Sequence, residues 1–170
     1  MPKLAIIDGC SLNHVAWDAG FTSIHFRNLY ERLVAIGKEK YFLMKPIYTH
    51  LLKFREEEFM KEAVSAGFQP CLTRRGRDDQ FIINFIEMIS RDRVKELILI
   101  SQDADFYDAI MRKVARGVQI YWVGAEHVYG EHASRPSMSP VLRILLGENP
   151  EFVELLTPDQ KIFYTAQDAQ

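Results

Sequence analysis

Aspartates stand at the ends of three apolar runs in this sequence. Asp8 closes KLAIID, Asp78 and Asp79 follow the run Gln69–Thr73 in RRGRDD, and Asp103 and Asp105 lie just beyond ELILIS in SQDADF. Carboxylates so placed act together if the runs are neighbouring parallel strands, whose carboxyl ends share one edge. Asp8, Asp78, Asp103 and Asp105 then converge in one crevice, where like charges repel unless a cation or protons neutralise them. Oxygen-only donors favour a hard ion, Mg²⁺ or Mn²⁺, over zinc. Such a site activates water and stabilises a phosphodiester under in-line attack. Each aspartate also has a plainer use. Asp8 before Gly9 suits a turn. Asp78, Asp103 or Asp105 suits a helix N-cap, and Asp108 a first helical turn. Capping does not require all of them to share one sheet edge, so the set points to a site, with Asp108 left to its helix.

Basic residues gather near the same edge. Arg74, Arg75 and Arg77 precede the Asp78–Asp79 pair, where guanidinium groups would position a phosphate. Arg112 and Arg116 read as a solvated helix face, and Arg135 and Arg143 flank a loop from Gly124 to Pro140 expected to be mobile. The five histidines have no metal-ligand spacing with one another; His14 is placed near the crevice, His127 and His132 in that loop. Cys10 lies beside Ser11 and His14, but adjacency in sequence is not nucleophile geometry. A buried, inert thiol is the expectation for it and, more firmly, for Cys71 in its apolar strand. No GxxxxGK[ST] or GxGxxG phosphate loop is present.

The elements that must position these residues alternate. Strands are expected at Lys3–Asp8, Tyr41–Thr49, Gln69–Thr73, Glu96–Ser101, Val118–Val123 and Phe152–Leu156. Helices are expected at Phe26–Lys40, Phe54–Ala66, Asp78–Arg91, Asp105–Arg116, Val141–Gly147 and Pro158–Gln167. The central runs are apolar without period-two breaks, which predicts an α/β fold with a mainly parallel sheet covered by helices on both faces. Pro46 inside Tyr41–Thr49 suits a sheet edge, and that strand could pair with a second copy in a homodimer. Residues 1–170 read as one domain, without repeat or linker.

Composition narrows the classes. Of 170 residues, 48% are hydrophobic and the net charge is -2, which excludes disorder. That balance also excludes a polycationic coat for nucleic acid, while leaving nucleic acid open as a substrate. No apolar run approaches the roughly 20 residues of a membrane span, the first ten residues lack a secretory pattern, and two cysteines make no disulfide framework. A reducing, cytoplasmic compartment is expected.

The start IIDGCSL, the RGRDD segment before a helix and LISQDADFYDAI together resemble the NYN domain, a branch of the PIN-like nucleases with a three-layer α/β/α sandwich. Ser101–Phe106 is similar to the family's SGDSDF, and VQIYWVG followed by SPVLRILLGENPEFVEL resembles its closing pattern, so the likeness spans Lys3 to Leu156. The resemblance implies a ribonuclease acting on single-stranded or loop RNA and leaving 5′-phosphate and 3′-hydroxyl ends. Asp8, Asp78, Asp103 and Asp105 would hold Mg²⁺ or Mn²⁺, with Asp79 and Ser101 beside them. Three departures stand out. Ser11 occupies the Asn position of DGxN, with Asn13 two places on; Gln102 replaces a glycine; and Asn84 falls where some members carry another acid. At least three carboxylates remain, enough for one ion. Those departures favour the alternative of a catalytically degenerate module that binds RNA or a protein partner. A Toprim-type metal site fits less well, because it begins from a strand-end Glu where this chain has Asp8.

Overall fold

The computed structural model describes residues 2–51, 56–127, 138–159 and 161–165. The first half runs β1 (Pro2–Asp8), α1 (Gly9–Asp18), β2 (Ser23–Ile24), α2 (Phe26–Ala35), β3 (Phe42–Leu43), β4 (Ile47–Leu51), α3 (Glu56–Ser65) and β5 (Gln69–Thr73). The second runs α4 (Asp78–Met88), β6 (Glu96–Ile100), a short 3-10 helix (Ala104–Phe106), α5 (Tyr107–Ala115), β7 (Gln119–Gly124), α6 (Pro140–Leu145), β8 (Glu151–Glu154) and β9 (Phe163–Tyr164).

The main sheet is parallel throughout, in the order β5-β4-β1-β6-β7-β8, with β3 also paired to β1. Alternation along each strand divides the core in two. Ala5, Ile7, Ile98 and Ile100 face Leu12, Val15, Leu29 and Leu33 of α1 and α2, with Ala63 of α3 in the same layer. Leu4, Ile6, Leu97 and Leu99 face Ile82, Ile86, Ile110 and Leu142 of α4, α5 and α6. Strands buried on both faces need no polar alternation, which is why they read as continuous apolar runs. The α/β fold with helices on both faces is as the sequence predicts.

Three expectations fail locally. Tyr41–Thr49 is two strands, because the chain bends at Lys45–Pro46: β3 registers Lys3 with Leu43, and β4 registers Ile6 with Ile47. Its second part is no edge: β4 lies between β1 and β5, and the Pro46 carbonyl accepts the Gln69 N–H at 2.7 Å, so β4 is not free to pair with a second copy, while the two-residue β3 pairs with β1 alone among the described residues. The helix expected over Pro158–Gln167 is replaced, within the described residues, by β9, which pairs antiparallel with β2. Ile162 and Phe163 are buried there, and a strand of aromatic and β-branched residues can fill that site from one face. Finally, Gly9–Asp18 is a helix where only a turn was expected. Leu12, Val15 and Ala16 are buried along it, so tertiary packing outweighs a composition of Gly, Cys, Ser, Asn and His. Phe54, His132, Arg135 and Gln167, and residues 128–137 of the loop expected to be mobile, lie outside the described residues.

Candidate active site

β1 has β4 on one side and β6 on the other, so the chain's connections part between β1 and β6. Ligands of open α/β sheets bind outside the carboxyl ends at such a point. Here it opens as a cleft of about 740 Å³, lined by Asp8, Cys10, Asp78, Asp79, Asp103 and Arg75 among others.

Asp8 ends β1 and begins α1. Its Oδ1 accepts the Ser11 N–H at 3.3 Å, capping the helix, while its Oδ2 accepts the Ser101 hydroxyl at 3.0 Å. Capping and clustering are therefore both true of Asp8. Gly9 is needed for close approach rather than for a turn: a Cβ there would stand 1.9 Å from the Thr49 carbonyl oxygen. Ser101 directly follows β6, is fully buried, and its oxygen also accepts the Asp103 N–H at 3.0 Å. Asp103 caps the 3-10 helix, its Oδ1 accepting the Asp105 N–H at 2.9 Å. Ser11 joins these parts, its hydroxyl accepting the Gln102 N–H at 3.1 Å and lying 3.4 Å from the Ser101 oxygen. Gln102 is fastened by both ends of its amide to Ala125, its Nε2 donating to the Ala125 carbonyl at 2.8 Å and its Oε1 accepting the Ala125 N–H at 2.7 Å, which ties the turn after β6 to the end of β7. Asp78 and Asp79 occupy the first turn of α4, where the helix dipole favours negative charge.

The acids form two sets. Asp8, Cys10 and Asp78 can bring one ligand atom each within 4.8 Å of the others, as can Asp79, Asp103 and Asp105. The first is the deeper, Asp8 being 3% exposed; in the second, Asp105 is exposed. Burial raises the pKa of Asp8, against the hydrogen bonds from Ser11 and Ser101, and Asp78 adds to the rise. Burial and then the charges of Asp103, Asp78, Asp8 and Asp105 push Asp79 up to about 6. Among the described residues none of these five carboxylates joins an ion pair. The donor chemistry therefore fits a divalent cation, which would relieve the repulsion that protons otherwise relieve.

Not every expected residue reaches the cleft. Arg75 lines it, while Arg74 and Arg77 are exposed at a turn around Gly76, closed by Arg77 N–H to Arg74 O at 2.9 Å. Asn13 is half-buried and lies about 130° around α1 from the lining residues. Asn84 is exposed, accepting from Gln80 at 2.7 Å. Arg112 pairs with Glu87 at 2.6 Å, the solvated-face role expected of it. Cys71 is half-exposed rather than buried, because its strand forms the edge of the sheet. In contrast Cys10, His14 and Asp18 line the cleft, and of these only His14 is placed near it by the sequence. Their spacing of four residues was the available signal, but it has meaning only once Gly9–Asp18 is known to be helical.

Residues 3–142 match the NYN domain family over most of the chain. The chain belongs to that family. It carries the PIN-like nuclease fold, with the acid sets at the edge described above. A solved structure of a protein of unknown function from Vibrio parahaemolyticus superposes with a TM-score of 0.70 over 95% of this chain and 96% of that one, at 17% identity. That likeness concerns the fold. An uncharacterized protein of Methanocaldococcus jannaschii is 22% identical over 77 residues, which are 45% of this chain and 32% of the relative. The match spans about a third of that relative's length. Among the described residues no helix of this NYN domain is long and apolar enough to cross a membrane.

Proposed function

We propose that this NYN domain is a ribonuclease that needs Mg²⁺ or Mn²⁺ and hydrolyses phosphodiester bonds of single-stranded or loop RNA. One observation carries the reading: acids from three strand ends gather at one sheet edge in two ligand sets, four of the five carboxylates lining the cleft, and among the described residues none of the five joins an ion pair. Asp8, Asp78, Asp103 and Asp105 are the proposed ligands, with Asp79 beside them. A divalent ion bound there would lower the pKa of water and offset charge developing at phosphorus. Ser101 and Ser11 hold Asp8 and the Asp103 turn in register, through the hydrogen bonds at 3.0 and 3.1 Å. Arg75 offers a guanidinium to a flanking phosphate, and Arg74 and Arg77 extend that charge along the rim. Hydrolysis adds water across the P–O3′ bond, leaving the oxygen on a 5′-phosphate and a proton on the 3′-hydroxyl.

The test is cleavage of end-labelled single-stranded RNA by the whole chain with Mn²⁺, with EDTA, and with Asp103→Asn. Cleavage that needs both the ion and Asp103 is expected; a fully active Asp103→Asn protein would sink the site assignment. The exposed Asn84, turned to Gln80 instead of adding an acid to the cleft, favours a second reading of a degenerate module that binds RNA or a protein partner without cutting. Intact RNA after incubation with folded wild-type protein and Mn²⁺ would select it.

A further inference from the structure

A second groove opens beside the acid cleft, among α4, α5 and α6. It holds about 520 Å³ and is lined by Ile83, Tyr107, Leu142 and Leu145, together with Asp105 and Asp108. Ala104 lines both the cleft and the groove, and Asp105 belongs to a ligand set while lining the groove, so the two are continuous. We infer that the groove is a subsite for one unstacked nucleobase of an RNA strand whose phosphates pass the acid sets, and that Asp108 selects a base with an exocyclic amino group, such as cytosine, over uracil. The inference deepens the proposed function and rests on the cleft taking RNA, but not on RNA being cut.

The apolar wall supplies the first support. Val141 also lines the groove and is 67% exposed, and Leu145 is 50% exposed. Apolar side chains left in water in a concave place mark a binding surface. Tyr107 packs against the core layer of α4, α5 and α6 and still lines the groove, so its ring is already ordered for a partner. Every nucleobase has an apolar face that such a wall takes out of water, and a single strand offers that face without the cost of opening a duplex.

Charge is the second support, and it decides which part of the strand enters. None of the residues lining the groove is basic and two are acids, so a phosphate is repelled from it. The phosphates are left to the cation-binding cleft, which Arg75 also lines. Asp105 is a proposed ligand there. Asp108, which sequence alone leaves to its helix, stands exposed in the first turn of α5 and joins no ion pair among the described residues. A carboxylate only accepts hydrogen bonds. The N4 amino group of cytosine or the N6 amino group of adenine donates to it, whereas the O4 of uracil is a second acceptor and is disfavoured.

Fluorescence anisotropy of labelled oligocytidylate and oligouridylate on the whole protein, with Ca²⁺ in place of Mn²⁺, tests this as binding alone. The wild-type protein should hold oligocytidylate about tenfold more tightly, and Asp108→Asn, whose amide can donate to O4, should narrow the ratio to less than about twofold. Tyr107→Leu keeps an apolar side chain against the core and should weaken both oligomers by about fivefold or more. Leu145→Ser, at a half-exposed position, should act in the same direction, with circular dichroism confirming the fold of each variant. Photocross-linking of an oligomer carrying 5-iodocytidine should map to Tyr107. Equal affinity for the two oligomers, a ratio unchanged by Asp108→Asn, a cross-link that lies elsewhere, or no RNA binding would overturn the inference. RNA cleavage with Mn²⁺, run in parallel, separates the two readings. Cutting without an Asp108-dependent base preference leaves the nuclease and removes the subsite, and the preference without cutting does the reverse.

Discussion

The two edges of the parallel sheet both bury charge, and they treat it in opposite ways. At the amino edge, Lys3 is 1% exposed, yet its ammonium donates to the Val34 and Ile36 carbonyls at 2.6 and 2.7 Å, closing the C-terminus of α2. Lys113 does the same for α4, donating to the Glu87 and Ile89 carbonyls, both at 2.7 Å. Glu96 accepts the Lys38 N–H and the Tyr121 hydroxyl, each at 3.0 Å. Burial pulls both lysines below their usual range, but their donors are used by the fold itself. At the carboxyl edge the acids receive a few hydrogen bonds and, among the described residues, no cation. Buried charge completed by backbone serves folding, and buried charge left incomplete at a cleft is available to a ligand.

The sharpest way to break that contrast is Asp103→Asn. An amide oxygen can still cap the Asp105 N–H, so the fold should hold while single-turnover cleavage falls by roughly 10³-fold. A melting temperature that falls with activity would assign Asp103 to the amino-edge kind. Gly9→Ala comes next. Its Cβ would collide with the Thr49 carbonyl and displace α1, the Asp8 cap and Cys10 together. Cleavage should drop by about 10²-fold and urea should unfold the protein with about 2 kcal/mol less free energy. Full activity would mean that α1 does not position the site.

Lys3→Met probes the other edge. It orphans two carbonyls, and should cost about 2 kcal/mol in urea unfolding, while cleavage per folded molecule stays at the wild-type rate. The smallest effect is on pH. Asp79 keeps its proton in the folded protein up to about pH 6, whereas an unfolded chain releases it near pH 4. Between those values the folded state binds more protons, so stability falls as pH rises through that window and stays lower above it. Asp8, also raised, acts with the same sign. The metal-free protein should therefore melt a few degrees higher at pH 5 than at pH 7.5. Asp79→Asn or added Mn²⁺ should flatten the difference, and an unchanged slope would place the raised proton affinity elsewhere.

Some of this was readable in the chain itself. The runs KLAIID and ELILIS are apolar at every second residue on both faces, so they specify doubly covered parallel strands. Parallel strands in turn place Asp8, Asp78, Asp103 and Asp105 at carboxyl ends. Short-range chemistry was equally legible in SQDADF, where Asp103 caps the turn that carries Asp105. The helix that begins at Gly9 was not. Its residues have weak intrinsic preference, and it exists because Leu12, Val15 and Ala16 are buried and Asp8 caps it. The turn of Cys10, His14 and Asp18 toward the acids depends on that helix. The interior position of β4, the pairing of β9 with β2, and the division of the ligands into an oxygen set and a sulfur-bearing set rest on contacts between distant parts of the chain. Local sequence determined which residues end each strand; only tertiary packing decided which of those ends are neighbours, because strand order and helix docking are set by long-range burial rather than by any residue's own preference.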